Sequence, residues 1–208
     1  PLTAIIGNTE LLLRRTPATE KNSIMLQDIK SCGQRSKLII QNLLTFSRRD
    51  SYCFEELHLN DVVENSFALV RYQLEKNEIK LKKCLKSELP PIMGNIQQLE
   101  QIIINFLLNA RDALENAAEK KITIDTDYHT RRDNNRPGLR VMVADTGEGI
   151  KPCHLEQIFN PFFTTKDCSR GTGLGLSVSL GIAKAHRGTI EVESTPGLGS
   201  TFTLVLPF

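Results

Sequence analysis

An asparagine amide inside an apolar helix costs about 1–3 kcal/mol unless something bonds to it. The run "IIINFLLNA" carries two, Asn105 and Asn109. They stand one helical turn apart, on a face shared with Gln98, Gln101 and Asp112. Leu99, Ile103, Phe106, Leu107, Ala110 and Leu114 make a separate apolar face. Two chemistries fit this pattern. One is a core network of satisfied amides. The other is a pair of oxygen ligands for a hard cation that keeps several waters and sits on phosphates, as Mg²⁺ usually does.

Two later segments put glycines beside polar groups. "VMVADTGEGI" ends a strand at Asp145 and turns at Gly147 and Gly149. A carboxylate there can accept hydrogen bonds from a ligand that comes close to the backbone. A tight turn opened by Asp is the alternative. "IFNPFFTTKDCSRGTGLGLSVS" holds Phe159, Phe162 and Phe163 as apolar anchors, then Lys166 and Arg170, then Gly171, Gly173 and Gly175. Glycines let backbone N–H groups converge on an anion, and a following helix N-terminus adds its dipole. A flexible linker ahead of a buried helix reads equally well. The segment is not a Walker A loop, because no Gly-Lys-Ser/Thr ends it. Leu176 and Val178 exclude the third glycine of GxGxxG. In "STPGLGSTF", Pro196 and Gly197 take type II turn positions. Thr201 just beyond could reach a ligand, but a structural role is preferred.

These residues need elements to hold them. The expected helix over Asn95–Ala118 opens with Asn95 and Gln98 in capping-box spacing. Strands are expected at Glu56–Leu59, Ile79–Leu85, Ile122–Tyr128 and Leu139–Ala144, with a helix at Asp61–Glu75. "SELPPIMGN" reads as a turn-rich connection. A helix follows the glycine loop to about His186, and Thr189–Ser194 with Ser200–Leu206 form a closing hairpin. His58, His129, His154 and His186 read as structural or surface residues.

The N-terminal part is helical. Leu2, Ile5, Ile6, Thr9, Leu12 and Leu13 make a stripe over residues 2–15. After Pro17, with Thr19 as a possible N-cap, a second helix runs to Arg48. Its Met25, Ile29, Cys32, Ser36, Ile39, Leu43 and Phe46 step alternately by four and three, a coiled-coil seam. Such a hairpin either packs on its own domain or pairs with a second copy as a four-helix bundle. The second arm would be about 45 Å long and the first about 21 Å. The mismatch, with a start that lacks Met, leads us to expect about one to two further turns or more upstream of Pro1. "RRDSYCFEEL" marks a domain boundary, separating residues 1–50 from 51–208.

Composition sets the background. The chain has 208 residues, is 40% hydrophobic and 24% charged, and carries a net charge of +2. No basic stripe with interleaved aromatics appears, which argues against a nucleic-acid partner. Residues 131–136 read as a solvated loop. Five scattered cysteines without CxxC spacing fit a reducing, cytoplasmic compartment. No apolar run approaches the ~20 residues of a membrane span, so no membrane contact is expected of this segment.

The four motifs, in this order, resemble the nucleotide-binding core of sensor histidine kinases. That core belongs to the Bergerat-fold superfamily shared with DNA gyrase, heat-shock chaperone ATPases and mismatch-repair proteins. "NFLLNARDAL" resembles the N box, "DTGEGI" the G1 box, "IFNPFFTTK" the F box and "GTGLGLS" the G2 box. "PLTAIIGNTELLL" resembles the stretch just after the phospho-accepting histidine of the dimerisation helix. The implied fold is α+β: a truncated α-helical hairpin followed by a two-layer α/β sandwich with a mixed sheet. The acceptor histidine would lie upstream of Pro1, so this segment is not expected to phosphorylate itself.

The resemblance implies a two-component kinase that binds Mg-ATP and passes the γ-phosphate to a histidine, for relay to a response-regulator aspartate. Its implied partners are a second copy and a receiver domain. The parent protein would be cytoplasmic, with a membrane anchor left open. Asp145 would accept the exocyclic amine of adenine, within a turn that includes Gly147, Gly149 and Ile150. Asn109, with Asn105, would hold Mg²⁺. Lys166, Arg170 and the Gly171–Gly175 backbone, with Thr172, Gly173 and Leu174, would hold the triphosphate. Residues 160–172 would form a mobile lid. Phe159, Phe163, Leu176, Asp112 and Thr201 complete the implied set. Asp112 departs from kinases that carry a basic residue there, with Arg111 next to it. Chaperone-type ATPases place a glutamate base where Asn105 stands, and an amide cannot take a proton. A chaperone-like ATPase or a non-catalytic dimerisation module are the alternatives.

Overall fold

The fold is seen in a computed structural model that describes residues 1–17, 22–33, 36, 53–130, 137–166 and 171–208. Two compact units are distinguished: Pro1–Asp50 with Asn160–Leu174, and Ser51–Phe159 with Gly175–Phe208. Among the described residues, no helix is long and apolar enough to cross a membrane.

In the first unit, α1 spans Leu2–Arg15 and α2 covers residues 22–33. They run antiparallel. Lys30 Nζ meets Glu10 Oε1 at 2.9 Å, and a Cβ on Gly33 would stand 3.0 Å from Ile6 Cγ1. Two small residues are buried, Thr9 and Ser23, and Thr9 Oγ1 donates to its own helix at Ile5 O. The expected stripe therefore divides. Ile5 and Leu12 are about half exposed, as are Met25 and Ile29 of the seam. Cys32 is exposed too. Thr19, Ile39, Leu43 and Phe46 lie outside the described residues.

The second unit is a two-layer sandwich. Its main sheet contains β2 (Lys80–Leu85), β4 (Lys121–Thr130), β5 (Pro137–Asp145), β6 (Thr189–Thr195) and β7 (Gly199–Pro207), in the order β2-β4-β5-β7-β6. Only β2 and β4 pair in parallel, so the sheet is mixed. Alternation in "KITID" and "LRVMVAD" turns Ile122, Ile124, Leu139, Val141 and Val143 to one buried face. Helices α3 (Leu59–Lys76), α4 (Ile96–Ala113) and α6 (Gly175–Ala185) pack with this sheet. Phe106 of α4 and Phe202 of β7 meet at 5.4 Å between ring centroids.

Four elements differ from expectation. β1 is Glu55–Leu57 and pairs with β3, Ile92–Gly94, inside the segment read as a connection. α4 ends at Ala113, five residues short of the expected end. A short helix α5, Pro152–Leu155, takes in His154. The α4 cap is only half a capping box. Asn95 Oδ1 accepts from Gln98 N at 3.0 Å, but the Asn95 N–H donates to His186 Nε2 at 3.0 Å, not to Gln98.

Candidate nucleotide site

Asp145 ends β5, and its carboxylate is buried, at 7% exposed. Burial pushes its pKa above the ordinary 3.8, opposed by N–H donors at Gly147 and Ser200. The Gly147 bond is 2.8 Å. The turn that follows is tied down on two sides. Glu148 N donates to Ala113 O of α4 at 3.2 Å, and a Cβ on Gly147 would lie 2.5 Å from that same oxygen. Gly149, at φ +69, lies against the backbone of Thr195, and Gly197 N donates to Glu148 O at 2.8 Å. The Asp145 turn is thereby fastened to the C-terminal end of the helix that carries Asn105, Asn109 and Asp112.

Sequence reasoning missed two serines. Ser194 Oγ accepts from Ile150 N at 2.7 Å, donates to Gly199 O at 3.0 Å and stands 3.0 Å from Ser200 Oγ. Ser200 is buried and in register with Asp145. Thr201, the residue singled out from the sequence, is in register with Ala144 instead. Strand alternation puts its side chain on the other face of β7. Ser200 was visible in "GLGSTF" but could be chosen only once the register with Asp145 was known.

On α4, the Asn105 amide nitrogen donates to Gly175 O at 3.2 Å and to Ser179 Oγ at 3.1 Å, both on α6. Asn109 is half-buried one turn further along. Arg111 Nε donates to Asp112 Oδ1 at 2.8 Å, and its Nη1 reaches Gln73 Oε1 of α3 at 2.5 Å. The acidic departure from the kinase pattern is therefore neutralised by its neighbour. Phe159 and Leu176 are half-buried in this unit.

The remaining residues belong to the first unit. Phe162 N donates to Gly173 O at 2.9 Å, Lys166 N to Thr164 Oγ1 at 3.1 Å, and Leu174 N to Thr172 Oγ1 at 3.4 Å. Gly173 has φ +65, with the Phe162 backbone where a Cβ would go. The loop thus has a definite shape that needs glycine at this point. Phe162 is 63% exposed and is not the anchor expected; in the second unit, Ile158, at 8%, is buried. Phe163, Lys166 and Gly171 are half-buried. Arg170, and with it part of the expected lid, lies outside the described residues.

Residues 94–208 match the family model described as histidine kinase-, DNA gyrase B-, and HSP90-like ATPase. That is more than half of the chain. The chain belongs to this family. Residues 1–52 match the His Kinase A (phospho-acceptor) domain, so both modules are those of a histidine kinase, and ATP binding comes with the matched fold. The chain is 38% identical over 210 residues to signal transduction histidine-protein kinase AtoS of Escherichia coli (strain K12), covering 100% of this chain. It spans about a third of that relative, 32% of its length. Among solved structures it is similar to full-length ShkA in complex with AMPPNP, at 24% identity and TM-score 0.74, over 100% of this chain and 43% of that one. It is also similar to histidine kinase ThkA in complex with response regulator protein TrrA, at 24% identity and TM-score 0.69, over 99% and 57%. At that identity, the two structures speak to the fold.

Proposed function

We propose that residues 51–208 bind Mg-ATP and deliver its γ-phosphate to a histidine upstream of Pro1, on the helix that continues into α1. From there the phosphate would pass to an aspartate of a response-regulator receiver domain. The observation that carries this reading is the buried Asp145 carboxylate, in a glycine turn bonded to the end of the Asn105–Asn109 helix. An ionised carboxylate accepts from the amine of adenine and repels the carbonyl that guanine carries there. Gly147, Gly149 and Ile150 line the same turn, and Ser200 joins the set in place of Thr201.

Asn109 and Asn105 are the residues that would hold Mg²⁺. Neutral amide oxygens suit a cation that brings waters and phosphates with it, and the Asn105 nitrogen is already committed to α6. Among the described residues, no group of three His, Cys, Asp or Glu could hold a metal. The cation's part, when bound, is to neutralise charge on the phosphates. Lys166, Arg170 and the Gly171–Gly175 backbone are assigned to the triphosphate, and Phe159, Phe163, Leu174 and Leu176 to apolar support around the nucleotide. Phosphoryl transfer is mostly positioning and charge stabilisation. Asn105 cannot act as a base toward water, which favours transfer over hydrolysis. Residues 1–50 are assigned to dimerisation, supported by the exposed Met25 and Ile29.

The test uses γ-labelled ATP with this chain and with the parent protein extended upstream through the whole first helix. Acid-labile phosphoprotein in the longer form alone is expected. Free phosphate from both forms, with no phosphoprotein, would replace the reading with an ATPase.

A further inference from the structure

Ser179 occupies an unusual place for a hydroxyl. It is 0% exposed on α6, beside Val178, within the apolar run "GLSVSLGIA". A hydroxyl so buried is costly without a partner. Its partner is Asn105: the amide nitrogen donates to Ser179 Oγ at 3.1 Å and to the Gly175 carbonyl at 3.2 Å. Residues 175 and 179 are one turn apart, so their acceptors lie side by side on α6. The two hydrogens of one NH₂ group meet them both.

This arrangement decides which way the amide points. An asparagine side chain has a donor end and an acceptor end. A carbonyl only accepts, so the end turned to Gly175 O must be NH₂. Both amide hydrogens are then used on α6, and Oδ1 is turned away from those two acceptors. One bond to Gly175 would leave the amide plane free to swing about that contact. The second bond, to Ser179, holds it.

We infer that Ser179 is a positioning residue for the nucleotide's cation: by holding the Asn105 amide nitrogen on α6, its hydroxyl presents the Asn105 oxygen as a ligand. The inference rests on Asn105 being an oxygen donor to Mg²⁺. Ser179 itself touches neither nucleotide nor cation.

The test compares Ser179→Thr with Ser179→Val in this chain. The two side chains are nearly isosteric, and they differ in the hydroxyl. Displacement of a fluorescent ATP analogue is followed against Mg²⁺ concentration. The valine variant is expected to need about tenfold more Mg²⁺ for half-saturation than the threonine variant, the effect of one hydrogen bond. Binding without Mg²⁺ should be the same in both. Hydrogen exchange of the Asn105 side-chain NH₂ should be slow in wild type and threonine, and fast in valine. Equal Mg²⁺ dependence in the two variants would make Ser179 a packing residue and overturn the inference. If Asn105→Ala leaves wild-type Mg²⁺ dependence unchanged, Asn105 is not an oxygen donor, and the inference falls with that assignment. Failure of the wild-type chain to bind ATP with or without Mg²⁺ would overturn the nucleotide reading itself, and the inference with it. Should the valine variant not fold, as judged by its melting curve, Ser179→Ala replaces it with the same expected direction.

Discussion

Asp145 is pulled two ways in the proposed site. Ionised, it would bond the amine of adenine; buried, it costs stability. Burial raises its pKa above 3.8 in the fold, so ionising it costs more there than in the unfolded chain. Its favourable contribution is present below about pH 3.8 and is lost as pH rises through the shifted value. Asp145→Asn should therefore raise the melting temperature of the nucleotide-free protein at pH 7. The gain should shrink toward acid pH, as scanning calorimetry can show. The same change should weaken ATP binding at least tenfold by titration calorimetry, since bonds to charged groups contribute about 1.5–3 kcal/mol. Glycines make a second contrast. Gly149 and Gly197 both have positive φ, +69 and +79, but only Gly149 has backbone where a Cβ would go. Gly197→Ala should cost about 1–2 kcal/mol, the left-handed penalty alone. Gly149→Ala should cost about 3–4 kcal/mol, read from urea midpoints. Asp145 and its glycines were legible in the sequence because turn chemistry is local. Ser200 was not, because the choice between it and Thr201 depends on which partner strand lies alongside.

At the scale of elements, the joint between α4 and α6 holds the helix that carries Asn105 and Asn109. It is pinned near both ends of α6: Asn105 bonds Gly175 and Ser179, and His186 takes the N–H of Asn95. The His186 ring is buried, stacked on Phe54 at 4.7 Å between centroids, and its Nδ1 meets Ile182 O at 2.9 Å. Since that carbonyl only accepts, Nδ1 carries the proton and Nε2 is the acceptor, a neutral ring. Burial holds its pKa below 6.5. A depressed pKa contributes stability above pH 6.5 and loses it as pH falls from there through the folded value. Wild type should lose melting temperature below pH 6.5, and His186→Gln should flatten that part of the profile while costing about 1–3 kcal/mol at pH 7.5. The sequence placed the start of α4 and its N-cap correctly, since both are local signals. It assigned the cap's backbone N–H to a neighbour three residues away, where the fold supplies a side chain 91 residues away. Spacing rules cannot register such a partner.

For the whole molecule, the issue is association. Ile5, Leu11, Leu12, Ile24, Met25 and Ile29 are each 46–61% exposed on a hairpin whose helices meet at Gly33 against Ile6 and at Lys30 with Glu10. Six exposed apolar side chains on two short helices, together with the match to a phospho-acceptor domain, support the proposed homodimer through these helices. Each side chain would count twice in a two-fold interface. Ile29→Glu is therefore expected to weaken dimerisation by about 3 kcal/mol or more, at least a hundredfold in Kd. Light scattering on a concentration series would show it. A chain that is monomeric before the substitution would remove the dimer proposal.

What the sequence determined by itself was periodic or local: most helices and strands, the glycine turn at Asp145, the order of four motifs and hence the family. These follow from the step of 3.6 or 2 residues and from backbone preferences, which neighbouring residues set. Tertiary structure decided matters that join distant parts of the chain. It put Ser200 rather than Thr201 opposite Asp145, gave the Asn95 N–H to His186, exposed Phe162 while burying Ile158, and used both hydrogens of the Asn105 amide on α6. In each case the outcome turns on strand register or on a side-chain partner far along the chain. Such partners leave no periodic trace in the sequence.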